Sequence, residues 1–379
     1  MMKTYNFIYA LMALCVIGCS KSDENSDGQG EKKEQNIAAD YTLLMNANGK
    51  LTGTLLNGDA ETLSINDDDS GFTAISEPQL ISEEGNVLTM YNKTSECGGT
   101  VTVHDFTDGT SNSYTLFADL TACKITPIAI VNSGTTVYVA YEKEISAEVI
   151  EFAVRAVNIT NADTTFEDAV INFKPVGLAF SNNRLFVMAL DDKVTREHKL
   201  IVLDANSVSE IFSGNLGNDA RSIFKNPNGD IIVGYDELHT TIDKKTLAYT
   251  YTNYTPESAP NFTQAELRHF DSDGKMYYAM LAGSLSKYTQ IPAVYDFENN
   301  SAVLYAYENF LTDAQLDFEY EIENTTMVHY DEANTLLLVG YKKSGAGGKG
   351  GLLRIKPVPQ PKLVGNLDLD GIPYAIYFN

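Results

Sequence analysis

An all-β chain folded as a seven-bladed β-propeller is the architecture this sequence predicts, and three observations predict it. The first is a repeat. Seven segments share one plan: "PQLISEEGNVLTMY" from Pro78, "PIAIVNSGTTVYVAY" from Pro127, "PVGLAFSNNRLFVMAL" from Pro175, "ARSIFKNPNGDIIVGY" from Ala220, "LRHFDSDGKMYYAM" from Leu267, "MVHYDEANTLLLVGY" from Met327 and "PYAIYFN" from Pro373. In the six complete segments a short strand passes through a Gly- or Asn-containing turn into a second, more apolar strand, which is hairpin chemistry. The starts lie 49, 48, 45, 47, 60 and 46 residues apart, the period of a four-stranded propeller blade.

The second observation is register. Three positions after each start stand Ile81, Ile130, Leu178, Ile223, Phe270, Tyr330 and Ile376, bulky side chains suited to wedge between neighbouring blades. One position earlier stand Leu80, Ala129, Gly177, Ser222, His269, His329 and Ala375, mostly small, as expected where inner strands crowd a common axis. The third observation is how the chain ends. Asn379 falls one strand into the seventh unit, and "YTLLMNANGKLTGTLLNGDAETLSI" over residues 41–65 supplies the strands that unit lacks. Pairing the C-terminal strand with the N-terminal strands closes the ring and removes the open edges of a lone sheet.

Taken in chain order, residues 1–18 carry one basic residue, Lys3, then an apolar run from Phe7 to Ile17 too short to span a bilayer. This is the pattern of a secretory signal. Val16-Ile17-Gly18-Cys19 resembles the bacterial lipobox, which implies that Cys19 becomes the lipidated first residue. Three acyl chains exceed the two signals that stable anchoring takes. Residues 19–38 are therefore expected to be the lipidated cysteine and its tether: they hold no aromatic residue, and their Ser, Asp, Glu, Gly, Lys and Gln bury too little area to offset chain entropy. Ser22-Asp23-Glu24 resembles the export signal that carries lipoproteins of Bacteroidota to the outer face of the outer membrane. Residues 39–379 form the propeller.

Loss of residues 1–18 takes Lys3 and no acid, so the 27 basic residues become 26 against 51 acidic ones, a net charge of −25. Nucleic acid and anionic lipid are poor partners for that field. Of the 4 cysteines, Cys15 leaves with the signal and Cys19 takes lipid. Cys97 and Cys123 remain as a pair in an exported protein, and a disulfide between them is expected. On the chain-entropy model a bridge of this span contributes about 3 kcal/mol.

Each blade continues in further strand-like runs such as "GTVTVHDF", "VIEFAVRAV", "KLIVLDA" and "GGLLRIKPV". The second strands end in a recurring aromatic, at Tyr91, Tyr141, Tyr235 and Tyr341. The one long interval belongs to the sixth blade, whose surplus "NFLTDAQLDFEYEIEN", residues 309–324, is expected as a short helix or a protruding loop. Lipobox, acidic tether and repeat together resemble the surface lipoproteins with propeller domains found in Bacteroidota, including those beside TonB-dependent transporters or other outer-membrane machines. The resemblance implies a compartment, the outer membrane with the ring facing the exterior and inward-facing attachment as the open alternative, and a partner, an outer-membrane β-barrel protein of transport, assembly or secretion. It names no ligand.

For a site, the default place in a propeller is the axial funnel. Two adjacent blades carry matched triplets there, His269-Phe270-Asp271 and His329-Tyr330-Asp331. Strand alternation puts each histidine and its aspartate on one face, so His269, Asp271, His329 and Asp331 are the candidate divalent-metal ligands, nitrogen and oxygen donors suiting zinc, iron or manganese. A plainer account ranks above it: both aspartates enter hairpin turns, where an aspartate caps its own turn amides. Otherwise no cofactor is expected.

Lys174, Arg221 and Arg268 stand at blade starts of an acidic chain, and a converging set would bind a small anionic ligand. Against this stands their use in structural ion pairs with Glu77, Asp219 or Glu266. The chain has no GxSxG, HExxH or P-loop motif. A non-catalytic binding protein is the resulting expectation. A surface hydrolase or lyase for glycans or peptides, and a structural adhesin, stay open as alternatives.

Overall fold

The computed structural model describes residues 39–120, 124–160, 165–255, 259–262, 267–345 and 347–379. The expected signal, the expected lipidation site Cys19, the expected tether and Cys123 lie outside the described residues. Within them, seven antiparallel sheets follow one another along the chain. The first blade is built from Leu80–Glu84, Val87–Ser95, Gly98–Asp105 and Thr110–Leu116, in that order from the inner strand outward. The second runs from Lys124–Asn132 to Thr165–Ile171, the third from Lys174–Ser181 to Glu210–Gly217, and the fourth from Ser222–Lys225 to Tyr249–Asn253. The fifth runs from His269–Phe270 to Ser301–Leu304, and the sixth from Ile322–Asp331 to Lys362–Leu369. Among the described residues no helix is long and apolar enough to cross a membrane.

The seventh blade joins the two ends of the chain. Its inner strand is Ile372–Phe378, followed outward by Tyr41–Ala47, Lys50–Gly58 and Leu63–Asn66. The closing register sets Tyr41 opposite Phe378 and Leu43 opposite Ile376. Further bonds fix it: Thr42 Oγ1 donates to the Asn379 side chain at 2.9 Å, and the Asn379 amide donates to the Asp40 carbonyl at 3.2 Å. The seventh blade is also tied to the sixth by the Tyr41 hydroxyl, which donates to Asp331 at 2.6 Å.

The wedge positions read from the register lie between blades. Ile130 packs with Tyr91 and Val101 across the first and second blades, Leu178 with Val154 across the second and third, and Ile223 with Phe186 across the third and fourth. Ile376 does the same against Leu338 and Leu352 of the sixth blade. Burying a side chain of this size contributes about 1.5–3 kcal/mol, so the ring is held together mainly by faces between sheets. The axial positions are small for a reason visible at Gly177, where an added Cβ would stand 2.8 Å from Cγ2 of Ile223.

The surplus of the sixth blade is anchored along its length, with Tyr320 and Ile322 buried beyond the turn as well. A single helical turn, Gln315–Glu319, holds Leu316 in the core with Leu311 before it, while Phe318 is 83% exposed. Cys97 lies in the turn between Val87–Ser95 and Gly98–Asp105.

Candidate functional site

Seven inner strands surround an axis that their small side chains leave partly empty. A cavity of about 750 Å³ is lined by inner-strand residues of the first five blades and by Tyr374 of the seventh. A second chamber of about 380 Å³ lies among the fifth, sixth and seventh blades, with Gln290, Asn324 and Thr325 in its wall. Glu83, Leu267, His269 and Tyr374 line both.

Packing of the fifth blade against the sixth brings the two axial histidines together. The rings of His269 and His329 are stacked with centroids 3.1 Å apart. Two imidazolium ions in that arrangement would repel each other at close range. Burial pushes His269 down to about 4, and burial together with its neighbour holds His329 well below the ordinary imidazole value. At neutral pH both rings are uncharged.

The aspartates do not join them, which corrects the expected metal set of His269, Asp271, His329 and Asp331. Asp271 accepts from the Lys275 amide at 2.8 Å and from the Tyr277 hydroxyl at 2.7 Å. Asp331 accepts from the Asn334 amide at 3.0 Å, from the Asn334 side chain at 2.8 Å and from Tyr41. Their lone pairs are committed to hairpin turns and tyrosines. Among the described residues no group of three or more His, Cys, Asp or Glu side chains is placed to hold a metal ion.

The expected cation set also separates. Lys174 forms an ion pair with Glu142 of the second blade at 2.6 Å and is not among the residues lining the cavity. Arg221 lines the cavity but pairs with Asp236 at 3.5 Å, both side chains being more than half exposed. These are structural ion pairs, although with acids other than Glu77, Asp219 or Glu266. Arg268 is different. Its guanidinium lies 4.4 Å from the centre of the Phe224 ring and donates to the Phe262 carbonyl at 2.9 Å, while its buried Nε has no partner among the described residues. No carboxylate pairs with it among the described residues, and burial pulls its pKa down to about 10.

Sequence reading missed Glu83. It stands five positions after the first blade start, where the other blades carry Asn132, Phe180, Lys225, Ser272, Glu332 and Phe378. A carboxylate on an inner strand is the signal that points to it. Burial pushes the Glu83 carboxyl up to about 7. A folded-state pKa above the unfolded one means that the protonated carboxyl favours folding, and that this contribution is lost as pH rises from about 4.5 through about 7. Glu83→Gln is therefore expected to leave stability unchanged near pH 4 and to raise it by about 1–3 kcal/mol at pH 8. Urea unfolding at the two pH values checks this, and equal effects at both would contradict it.

No family model and no curated protein matches this chain. Solved structures resemble it at low identity. A puromycin-hydrolyzing peptidase from Mycobacterium tuberculosis is 12% identical over 90% of this chain, with a TM-score of 0.46, and this chain spans only 55% of the peptidase. A quinonprotein alcohol dehydrogenase-like protein from Bacteroides thetaiotaomicron is 11% identical over 89% of this chain and 78% of its own, with a TM-score of 0.48. A protein of unknown function from Bacteroides caccae is 10% identical over 78% of this chain and 99% of its own, with a TM-score of 0.40. Similarity at this level transfers no activity.

Proposed function

We propose that this chain is a lipid-anchored propeller of the outer-membrane surface that binds a small anionic ligand in its axial cavity without transforming it, as an accessory to an outer-membrane β-barrel protein. One observation carries the ligand reading: Arg268, which lines a cavity of about 750 Å³, has no carboxylate partner among the described residues. An unpaired buried charge is costly, and a carboxylate or phosphate brought by a ligand would offset that cost through charge-assisted hydrogen bonds. The non-catalytic reading rests on the same walls. The two histidines face each other, and the two aspartates serve turns. The lipobox at Cys19 supports the anchor, and the pairing of Cys97 with Cys123 belongs to the same exported setting.

Ligand binding is tested by titrating valerate, citrate and inorganic phosphate into the full chain in detergent while following its melting temperature. A ligand that binds only the folded state raises that temperature with concentration. The rise is expected for at least one of these anions in the parent chain and in Lys174→Gln, and is expected to vanish in Arg268→Gln. An unchanged rise in Arg268→Gln, or none in the parent chain, would overturn the ligand reading. For the anchor, Cys19→Ser is expected to move the protein from the membrane fraction to the soluble one, and retention in the membrane would refute lipidation at that residue.

A further inference from the structure

The charges lining the larger axial cavity can be followed one by one. Glu84 and Lys225 form an ion pair between the first and fourth blades. Arg221 is taken by Asp236. Glu77 is exposed. What remains is one acid on the inner strand of the first blade, Glu83, and one base immediately before the inner strand of the fifth, Arg268. Among the described residues no ion pair joins them to each other or to any third group.

The Tyr377 hydroxyl is the polar neighbour of Glu83 and favours its charged form, but a neutral hydroxyl cancels no charge, and the other polar neighbours resolve neither group. In the smaller chamber, which Glu83 also lines, the Asn324 side chain donates to the Gln290 side-chain oxygen at 2.7 Å and accepts from the Gln290 backbone amide at 2.8 Å, so Asn324 is engaged with Gln290. The stacked histidines are both neutral. A purely anionic ligand would satisfy Arg268 while bringing a second negative charge into the space that Glu83 faces, which raises the cost. A neutral apolar ligand would exclude water from both groups and compensate neither.

We infer that the axial cavity is built for an amphoteric ligand, a molecule that carries a carboxylate or other oxyanion for Arg268 and an ammonium group for Glu83, of the kind found in amino acids and short peptides. This rests on the axial-cavity reading above and adds the second recognition point. Because the two side chains are not paired with each other, the ligand has to span the distance between them. Specificity of this kind comes from length as well as charge, since a chain that is too short leaves one buried ion unpaired.

The test uses two probe series on the full chain in detergent at pH 8, where Glu83 is mostly ionised: unbranched ω-amino carboxylates from glycine to 8-aminooctanoate, and the matching alkanoates without the amine. Isothermal titration is expected to show one chain length at which the amino carboxylate binds roughly tenfold tighter than its alkanoate, the scale of one added charge-assisted hydrogen bond. Glu83→Gln is expected to remove that preference and keep the affinity for the alkanoate, and Arg268→Gln to remove binding of both series. Equal affinities for the two series, or a preference that persists in Glu83→Gln, would overturn the amphoteric inference and leave the anion reading standing. Binding of neither series would overturn both. A melting curve for each variant confirms that it is folded.

Discussion

Ending the chain at Gly371, without residues 372–379, is expected to abolish cooperative folding of the ring. Ile372–Phe378 is the inner strand of the seventh blade, and its Ala375, Ile376 and Tyr377 are at most 4% exposed. Ile376 packs into the face shared with the sixth blade, and Tyr377 into the face shared with the first, where its ring stacks on Phe106 at 3.8 Å. Losing these two side chains alone removes about 3–6 kcal/mol at the usual value for a buried large residue. The whole stability of a domain is only about 5–15 kcal/mol. The truncation also uncovers the edge of Tyr41–Ala47, and an open edge invites pairing between copies. Gel filtration should show aggregates, and thermal unfolding should lack a single sharp transition. A truncated chain that melts like the intact one would mean that closure contributes little.

The second large effect is expected at Arg155, whose side chain is 1% exposed. It grips two carboxylates at once. Asp168 accepts from Nε at 2.8 Å and from one terminal nitrogen at 2.6 Å, while Asp119 accepts from the two terminal nitrogens at 2.6 and 2.9 Å. The guanidinium also lies near the rings of Phe117 and Phe166, at 4.8 and 4.2 Å. The outer strand of the second blade and the segment leading into that blade are thereby fastened to its third strand. Removing one member of such a group leaves the others uncompensated, so Arg155→Met is expected to cost about 3 kcal/mol in urea unfolding at pH 7.

The pH dependence of that loss follows from the partner. Arg155 holds the Asp119 carboxyl below the ordinary carboxylate range. A lowered folded-state pKa gives stability that is present above the unfolded value of about 4 and fades as pH falls below it. The difference between Arg155→Met and the parent chain should therefore shrink in acid. Replacing all three, with Asp119→Asn and Asp168→Asn added, should recover part of the loss, because no charge is then left unpaired. A triple variant less stable than Arg155→Met would contradict this account.

Much of the ring was legible in the chain itself. A wedge residue such as Leu178 or Ile376 is recognisable because every blade solves the same packing problem at the same place in its repeat. The turn role of Asp271 and Asp331 was legible for a similar reason, since an aspartate and the amides it caps are neighbours in sequence. The candidate site was less so. Lys174 and Arg221 read as a converging pair of cations, yet Glu142 and Asp236 hold them. Glu83 gave a weak signal, one acid among many on an acidic chain.

By itself, then, the sequence determined the blade period, the register of the inner strands and the joining of head to tail in one sheet, because alternation and turn chemistry act over a few residues and are repeated. Only the tertiary structure decided which charges stay unpaired. Glu84 meets Lys225 across 141 residues and Tyr41 meets Asp331 across 290. Coulomb and hydrogen-bond energies depend on separation in space, so the lack of an ion-pair partner for Arg268 and Glu83 among the described residues is set only once seven sheets stand around one axis.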